Sequence, residues 1–368
     1  MRMLADVWKD LKVEAVPAGD VARFAASWAK LANSAQEPCG INLPEMQLPL
    51  LAQNAGAKLL TISKCDELLL ALPVQPSRKF DRTTTSDFAC NSLPLVASSH
   101  PQEAVLAMVQ NLQRPLLLKD LPLESRFFDQ LQMTGAHVRF TQQWQRAALR
   151  VNGSFEQWMA HNFTHKRRKE FKRLRNRLTE LGELKLESLN PNSNFKPFVE
   201  DFVQLEAQGW KGQRGTALGT HDNKTSTFRQ ICAGLHDMGR LRFWILRFNG
   251  KPIAALFGVA SGTQAQIIKI AYDESFAKFS PGVLLVLDAT EAFFADPSLK
   301  LVDSCAIPDH PMINRIWRDR VRIADVLIAP AHYPAWKFNN LFIGLSGYIK
   351  LRGLAKRIYL TLRRRKRS

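Results

Sequence analysis

Apolar residues in the second half of the chain recur with two clear periods. Ser154-Phe-Glu-Gln157 has the spacing of a capping box and opens a helix. Phe163, Phe171, Leu174, Leu178 and Leu181 then follow at helical intervals, and Gly182 stands where such a helix stops. Residues 183–189 alternate like a strand. Residues 194–208 (Phe195, Phe198, Phe202, Leu205) and 225–238 (Phe228, Ile231, Cys232, Leu235) return to the helical period, each followed by glycine. Three strands come next, over 241–248, 252–260 and 264–272, joined by Asn249-Gly250 and Ser261-Gly262-Thr263 as hairpin turns. An apolar helix is predicted over 283–294, a strand over 300–304, a short helix over 312–317 and a last strand over 321–328. The first half is less regular. It predicts helices over 22–31 and 103–112, strands over 58–63, 67–72, 116–118 and 136–140, and a polar loop over 79–91.

A chain of 368 residues that is 46% hydrophobic can build a sizeable core in two ordinary domains. The five cysteines are scattered and form no C-x-x-C pair, so neither a metal site nor a disulfide framework is indicated, and a reducing setting fits. The first residues intersperse Arg2, Asp6, Lys9 and Asp10 among apolar positions, unlike a signal peptide. No run approaches the roughly 18 apolar residues of a membrane span. The expectation is a cytoplasmic protein, soluble or peripheral at the inner face of the membrane.

The net charge of +18 is concentrated in two places. Residues 165–178 carry eight lysines and arginines against the single Glu170, and the tail from Lys337 carries ten with no acidic residue. The first segment reads as a helix with one apolar and one cationic side. That side is a solvated face, an RNA-binding face, or a site for phosphates or an anionic glycan. In the tail, apolar residues from Leu341 to Leu362 fall at helical spacing among cations. Such a helix either lies on an anionic membrane surface or docks on the core with a frayed basic end.

Candidate chemistry lies between the predicted elements. Ser280-Pro281-Gly282 opens a helix. Helix N-termini present unpaired N–H groups to phosphates, although a plain proline turn has the same sequence. Glu206, Trp210, Lys211 and Arg214 cluster at a helix end among glycines. Glu206 is a candidate general base, and Trp210, Lys211 and Arg214 are candidate substrate contacts. A helix cap followed by a solvated basic loop is the alternative. Asp303, Asp309 and His310 follow the strand at 300–304 and could deprotonate an acceptor or reprotonate a leaving thiolate. Cys305 has no identifiable base partner and reads as a small packed residue.

The element order from residue 183 resembles the GNAT acyltransferase core. Specific stretches resemble the CelD-like acetyltransferase family, relatives of the Fem aminoacyl transferases. These are the basic run Thr164–Leu174, the segment from Leu205 to Ala217, the Ser280-Pro-Gly-Val-Leu-Leu285 turn, and Val302-Asp303. The match covers residues 150–330 well and 1–150 weakly. The usual pyrophosphate signature is replaced by Phe279-Ser-Pro-Gly-Val283, and Asn314 stands where relatives often carry lysine.

The resemblance implies an α/β fold of tandem GNAT-like domains with mixed, mostly antiparallel sheets. A degenerate domain would occupy residues 1–150 and the acyltransferase domain 151–332, with a basic amphipathic tail over 333–368. It implies acetyl-CoA or another acyl-CoA as co-substrate, without a metal. The acyl group would pass directly to an amine or hydroxyl on a small molecule, glycan or peptide, in a setting linked to polysaccharide synthesis. The pyrophosphate would sit at Ser280, Pro281, Gly282 and Val283. The thioester would lie beside the strand containing Lys269, Ile270, Ala271 and Tyr272, splayed from its neighbour so that backbone amides polarise the acyl carbonyl. Glu206, Asp303 and His310 are the expected catalytic residues. Two alternatives remain: a Fem-like transferase using aminoacyl-tRNA, and a non-catalytic membrane-associated interaction module.

Overall fold

A computed structural model describes residues 11–208 and 222–365, with side chains through residue 355. The first half runs β1 (Leu11–Pro17), α1 (Ala25–Ser34), α2 (Pro44–Ala52), β2 (Lys58–Lys64), β3 (Glu67–Pro76), β4 (Asp81–Thr83), β5 (Leu95–Val96), α3 (Pro101–Gln110), β6 (Leu116–Pro122), α4 (Arg126–Gln132) and β7 (His137–Arg150). The second runs α5 (Phe155–Asn162), α6 (His165–Thr179), β8 (Leu184–Ser188), α7 (Lys196–Gln208), α8 (Asp222–Asp237), β9 (Leu241–Phe248), β10 (Lys251–Ser261), β11 (Gln264–Tyr272), α9 (Pro281–Ala295), β12 (Leu301–Asp303), α10 (Ile313–Ile316), β13 (Asp319–Ala329) and α11 (Ala335–Arg365).

Among the described residues the strands form one sheet, ordered β1-β2-β3-β4-β6-β13-β7-β12-β11-β10-β9-β8, with β5 on β3. Pairing is antiparallel except for β4 with β6 and β11 with β12. The fold is therefore mixed α/β with a mostly antiparallel sheet, as expected. The two halves are laced together. Strand β13 comes from the end of the chain yet lies between β6 and β7, pairing Ile323 with Pro122 on one edge and with Trp144 on the other.

Both faces of the sheet are covered. On one, Phe202 of α7 and Phe228 of α8 meet Phe243 and Phe257 of the sheet, in a core continuous with Trp28, Met46 and Leu72 of the first half. On the other, α5, α6 and α9 pack Phe163, Phe171, Leu178, Leu285 and Phe293 around Trp317. Each such fully buried side chain stabilises the fold by about 1.5–3 kcal/mol.

The structure adjusts several expected elements. The helix expected from Ser154 to Leu181 is two helices. Phe163 turns extended (φ −130°), and the Thr164 side chain accepts the Arg167 N–H at 3.3 Å, restarting the helix as α6. The capping box of α5 forms as read. Strand β4 lies inside the expected polar loop, and β7 is far longer than the 136–140 strand. Strand β1, α2, β5 and α4 had not been anticipated. Tail helix α11 starts six residues before Leu341. Its Phe338 is buried against Leu117, Leu327 and Ala329, so the first turns dock on the core, while Ile343, Tyr348, Leu351 and Leu354 stay exposed.

Candidate acyl-transfer site

The site arises where two parallel strands part. Strands β11 and β12 pair at Gln264–Leu301, Ala265–Val302 and Gln266–Asp303, and no further. Strand β12 ends there while β11 continues to Tyr272. A bulge opposite Phe257 and Gly258 increases the bend in β11. Gly258 is needed at that bulge, because a Cβ there would sit 2.7 Å from the Gln266 carbonyl oxygen. Beyond Gln266, N–H groups of β11 that would have met β12 face a gap instead.

A cavity of about 870 Å³ fills the gap. Ile267, Lys269, Ile270 and Tyr272 of β11 form one wall, Ser304 to Ile307 the other, and Ser280 to Val283 close one end. Ser280 adopts the left-handed conformation (φ 53°, ψ 51°), which turns the chain sharply into α9. Pro281 at the first helical position has no N–H, and the Gly282 N–H at the second has no partner within the helix by geometry. A Cβ on Gly282 would meet Met312 Sδ at 3.3 Å and Tyr272 Cδ1 at 3.5 Å. The bare backbone thus forms a cradle that any side chain would fill. Arg167 of α6 and Arg315 line the same cavity and supply positive charge.

The expected residues divide among three environments. Ile270, Tyr272, Ser280, Pro281, Gly282 and Val283 line the cavity, as do Lys269 and His310. Ala271 does not: it is buried in the core on the other side of β11. Glu206 is buried at 3% exposure, and its carboxylate lies 3.3 Å from Lys269 Nζ, so the structure joins two residues read separately in the sequence. Asp303 lies behind the cavity. It is ion-paired with the fully buried Arg146, and its Oδ1 accepts the Cys305 N–H at 3.0 Å. Both carboxylate oxygens are therefore engaged in fixing the point where the strands part. Burial would discharge Arg146, but the Asp303 charge outweighs it and raises the guanidinium above its ordinary value.

His310 Nδ1 faces the Met312 and Ile313 N–H groups at 3.3 Å each. Asp309 is exposed and outside the lining. Burial pushes the Cys305 thiol well above its ordinary range, so it stays protonated, consistent with a packed residue. Trp210, Lys211 and Arg214 lie outside the described residues.

Four contributors were not singled out in the sequence: Arg146, Arg167, Asp87 and Arg315. Arg146 sits in a strand run that reads as polar, and its partner is remote. Arg167 was visible only as one cation of a basic helix; the break at Phe163 sets the start of α6, at which Arg167 stands. Asp87 came from the polar loop and lines the cavity from the first half of the chain. The solvated-face reading of the basic helix fits Lys166, Lys169, Lys172, Arg173 and Arg177, which are exposed, but not Arg168 and Arg175, which are half-buried, Arg175 in an ion pair with Asp288.

Residues 165–309 match the family model described as an acetyltransferase (GNAT) domain. This stretch of the chain thus carries a GNAT-type acetyltransferase domain, and it contains β11, β12 and the turn into α9. Solved structures share the fold over nearly the whole chain. FemX aligns with a TM-score of 0.57 at 9% identity, covering 89% of this chain and 99% of FemX. The C-terminal domain of a protein assigned as a lysylphosphatidylglycerol synthetase, from Agrobacterium fabrum, gives 0.57 at 9% identity, covering 87% and 94%. L-PGS from Bacillus licheniformis gives 0.54 at 10% identity, covering 90% and 97%. No curated protein matches the sequence.

Proposed function

We infer that the protein transfers an acyl group from an acyl-CoA, in the simplest case acetyl-CoA, directly to an amine or hydroxyl acceptor. The observation that carries this reading is the gap between β11 and β12, which opens onto the Gly282 cradle at the start of α9. The residues fit the co-substrate. The cradle admits a phosphate oxygen against backbone, the dipole of α9 favours negative charge there, and Arg167 and Arg315 oppose the remaining phosphate charge. When bound, an acyl-CoA supplies a thioester whose C–S bond breaks as the acceptor N–C or O–C bond forms, the proton given up by the acceptor ending on the CoA sulfur. The chain's own part is positional and electrostatic. The N–H groups of β11 past Gln266 would polarise the acyl carbonyl, and His310 lines the same cavity. Glu206 holds the Lys269 ammonium at the wall, which makes it a positioning residue, and Asp303 with Arg146 sets the fork of the strands.

The finer resemblance to CelD-like acetyltransferases, with a glycan or peptide acceptor in polysaccharide synthesis, is consistent with this site. A cytoplasmic place at an anionic membrane surface is supported by the exposed apolar residues of α11 among cations. Among the described residues, no helix is long and apolar enough to cross a membrane. One observation favours a second reading, a Fem-like aminoacyl-tRNA transferase: the exposed cations of α6 border the cavity through Arg167.

Calorimetric titration with acetyl-CoA, longer acyl-CoAs and uncharged tRNA separates the readings. Saturable micromolar binding of an acyl-CoA is expected. Salt-sensitive tRNA binding without acyl-CoA binding would move the assignment to the second reading.

A further inference from the structure

Helix α11 carries apolar residues on two sides. Phe338, Leu341, Phe342 and Leu345 form the inner side, which packs on Leu117 of β6 and on Leu327 and Ala329 of β13. Trp336, Ile343, Leu351 and Leu354 recur on the opposite side, roughly 180° round the helix at 3.6 residues per turn. These four are 64%, 66%, 69% and 55% exposed, so the outer side faces away from the core along its length. From Leu351 to Ala355 every residue is exposed. That is more than one full turn, so the helix has left the body of the protein there. In the sequence, Ile358 and Leu362 continue the outer spacing.

The charge on this segment has one sign. Nine lysines and arginines fall from Lys350 to Arg367, with no Asp or Glu, which is half of the chain's net charge of +18. By helical spacing Lys350, Arg352, Lys356, Arg357, Arg363 and Arg364 flank the outer apolar positions or fall across from them, with Leu360 the one aliphatic position among them. Three kinds of partner would cover such a side. A second copy of the helix would set nine more cations against the first nine, with no acidic residue to offset them. An RNA would answer the cations and leave Trp336, Ile343, Leu351 and Leu354 in water. An anionic lipid surface answers both. Its headgroups attract the cations, and the boundary of its acyl chains takes the aliphatic and indole groups.

We propose that the outer side of α11, from Trp336 to Leu354, enters the headgroup boundary of an anionic bilayer while the inner side stays docked on β6 and β13. The proposal rests on the peripheral placement given above and deepens it, naming the lipid class, the side of the helix and the residues that enter. It does not rest on the acyl-transfer reading. The helix lies in the plane of the surface, because among the described residues none is long and apolar enough to cross a membrane. Since α11 is continuous from Ala335 to Arg365, the docking of Phe338 couples the body to the lipid-bound part without a flexible linker.

The test is co-sedimentation of the full chain with vesicles of phosphatidylcholine mixed with phosphatidylglycerol, and with vesicles of phosphatidylcholine alone. The anionic vesicles should bind about tenfold or more tightly than the neutral ones, and high salt should weaken that binding. Leu351→Ser/Leu354→Ser should weaken it by about tenfold or more. Lys350→Glu/Arg352→Glu should weaken it as well. Both double variants lie at exposed positions, so their melting and acetyl-CoA affinity should match wild type. Equal binding to the two kinds of vesicle would overturn the proposal, as would full binding by Leu351→Ser/Leu354→Ser. Absence of vesicle binding would overturn it too. In that case a dimer dispersed by Leu351→Ser/Leu354→Ser would assign the side to a second copy, and tRNA binding weakened by Lys350→Glu/Arg352→Glu would assign it to RNA. If wild type binds anionic vesicles but no acyl-CoA, the proposal stands and only the acyl-transfer reading fails.

Discussion

Gly282 offers a separation of binding from folding. The residue is not in the left-handed region, so a side chain does not strain the backbone there. Alanine in place of glycine in a helix stabilises by about 0.5–1 kcal/mol, and less near the end. Its Cβ would lie 3.3 Å from the sulfur of Met312, a flexible side chain that can give by a few tenths of an ångström. Gly282→Ala should therefore melt at or slightly above wild type. Gly282→Leu places a whole side chain between Tyr272 and Met312, in the space assigned to a phosphate. Displacing the phosphate forfeits a hydrogen bond to a charged group, about 1.5–3 kcal/mol. That converts to a roughly 10- to 150-fold rise in Kd for acetyl-CoA. Alanine should fall below tenfold. The assay is calorimetric titration of both variants beside their thermal melts. Wild-type acetyl-CoA affinity in a folded Gly282→Leu would refute the placement of the phosphate site.

Three further outcomes follow from the charged groups. Asp303→Asn leaves a guanidinium buried beside a neutral amide and should cost about 3–5 kcal/mol in urea unfolding, with Arg146→Met/Asp303→Leu recovering much of it; near-wild-type stability of the single variant would contradict the structural role. Lys269→Met should destabilise by about 3 kcal/mol, because the Glu206 carboxylate loses a buried cationic neighbour at 3.3 Å, and Glu206→Leu in the same chain should restore part of that loss. Asp120 gives a pH signature. Burial pushes its carboxyl up to about 6, above the unfolded value, so its stabilising contribution is full below about pH 4 and is lost as pH rises through 6. The ceiling is about 3 kcal/mol, and partial exposure to water reduces it to about 1–2 kcal/mol. Asp120→Asn should gain on wild type between pH 4 and 7.5 by that amount, and a constant difference across the range would exclude the burial argument.

The second half of the chain was legible because its signals are local. Asn249 and Gly250 take positive φ values of 48° and 77°, as a tight hairpin turn requires, and Gly262 does the same at the next turn. Strands 241–248 and 264–272 accordingly match β9 and β11 to the residue. Strand β7 was truncated in the sequence reading because Gln142, Gln143, Gln145 and Arg146 break its apolar pattern. Strand β13 pairs along nearly its full length and supplies the hydrogen bonds that composition did not promise. The insertion of β13 between β6 and β7 could not be read, since no local feature records a partner about two hundred residues away. The same limit applies to the site. Strand-end residues such as Asp303 were visible as candidates, but whether a carboxylate faces a cavity or a buried arginine depends on the neighbouring strand. The helix start at Ser280 to Val283 was legible for the opposite reason, because proline and glycine write their backbone geometry into the sequence.

The lacing of the sheet also bears on how the two halves of the chain are joined beside the cavity. Arg146 projects from β7, the strand that pairs with both β12 and β13. Its guanidinium donates to the Asp303 carboxylate of β12 and, at 2.7 Å, to the Cys90 carbonyl in the loop that follows the Asp87 turn. One buried cation therefore ties the fork of β11 and β12 to the loop that follows Asp87, a residue of the first half that lines the cavity. Such a joint suits a reaction whose demand is positional. Two reactants held at a fixed separation gain from lost entropy and from aligned atoms, and a hinge at this seam would forfeit that gain. The rigid connection explains why an ion pair that touches no ligand stands at the centre of the molecule. Strand β13 strengthens this joint by pairing with β7 along nearly its full length and with β6 of the first half on its other edge.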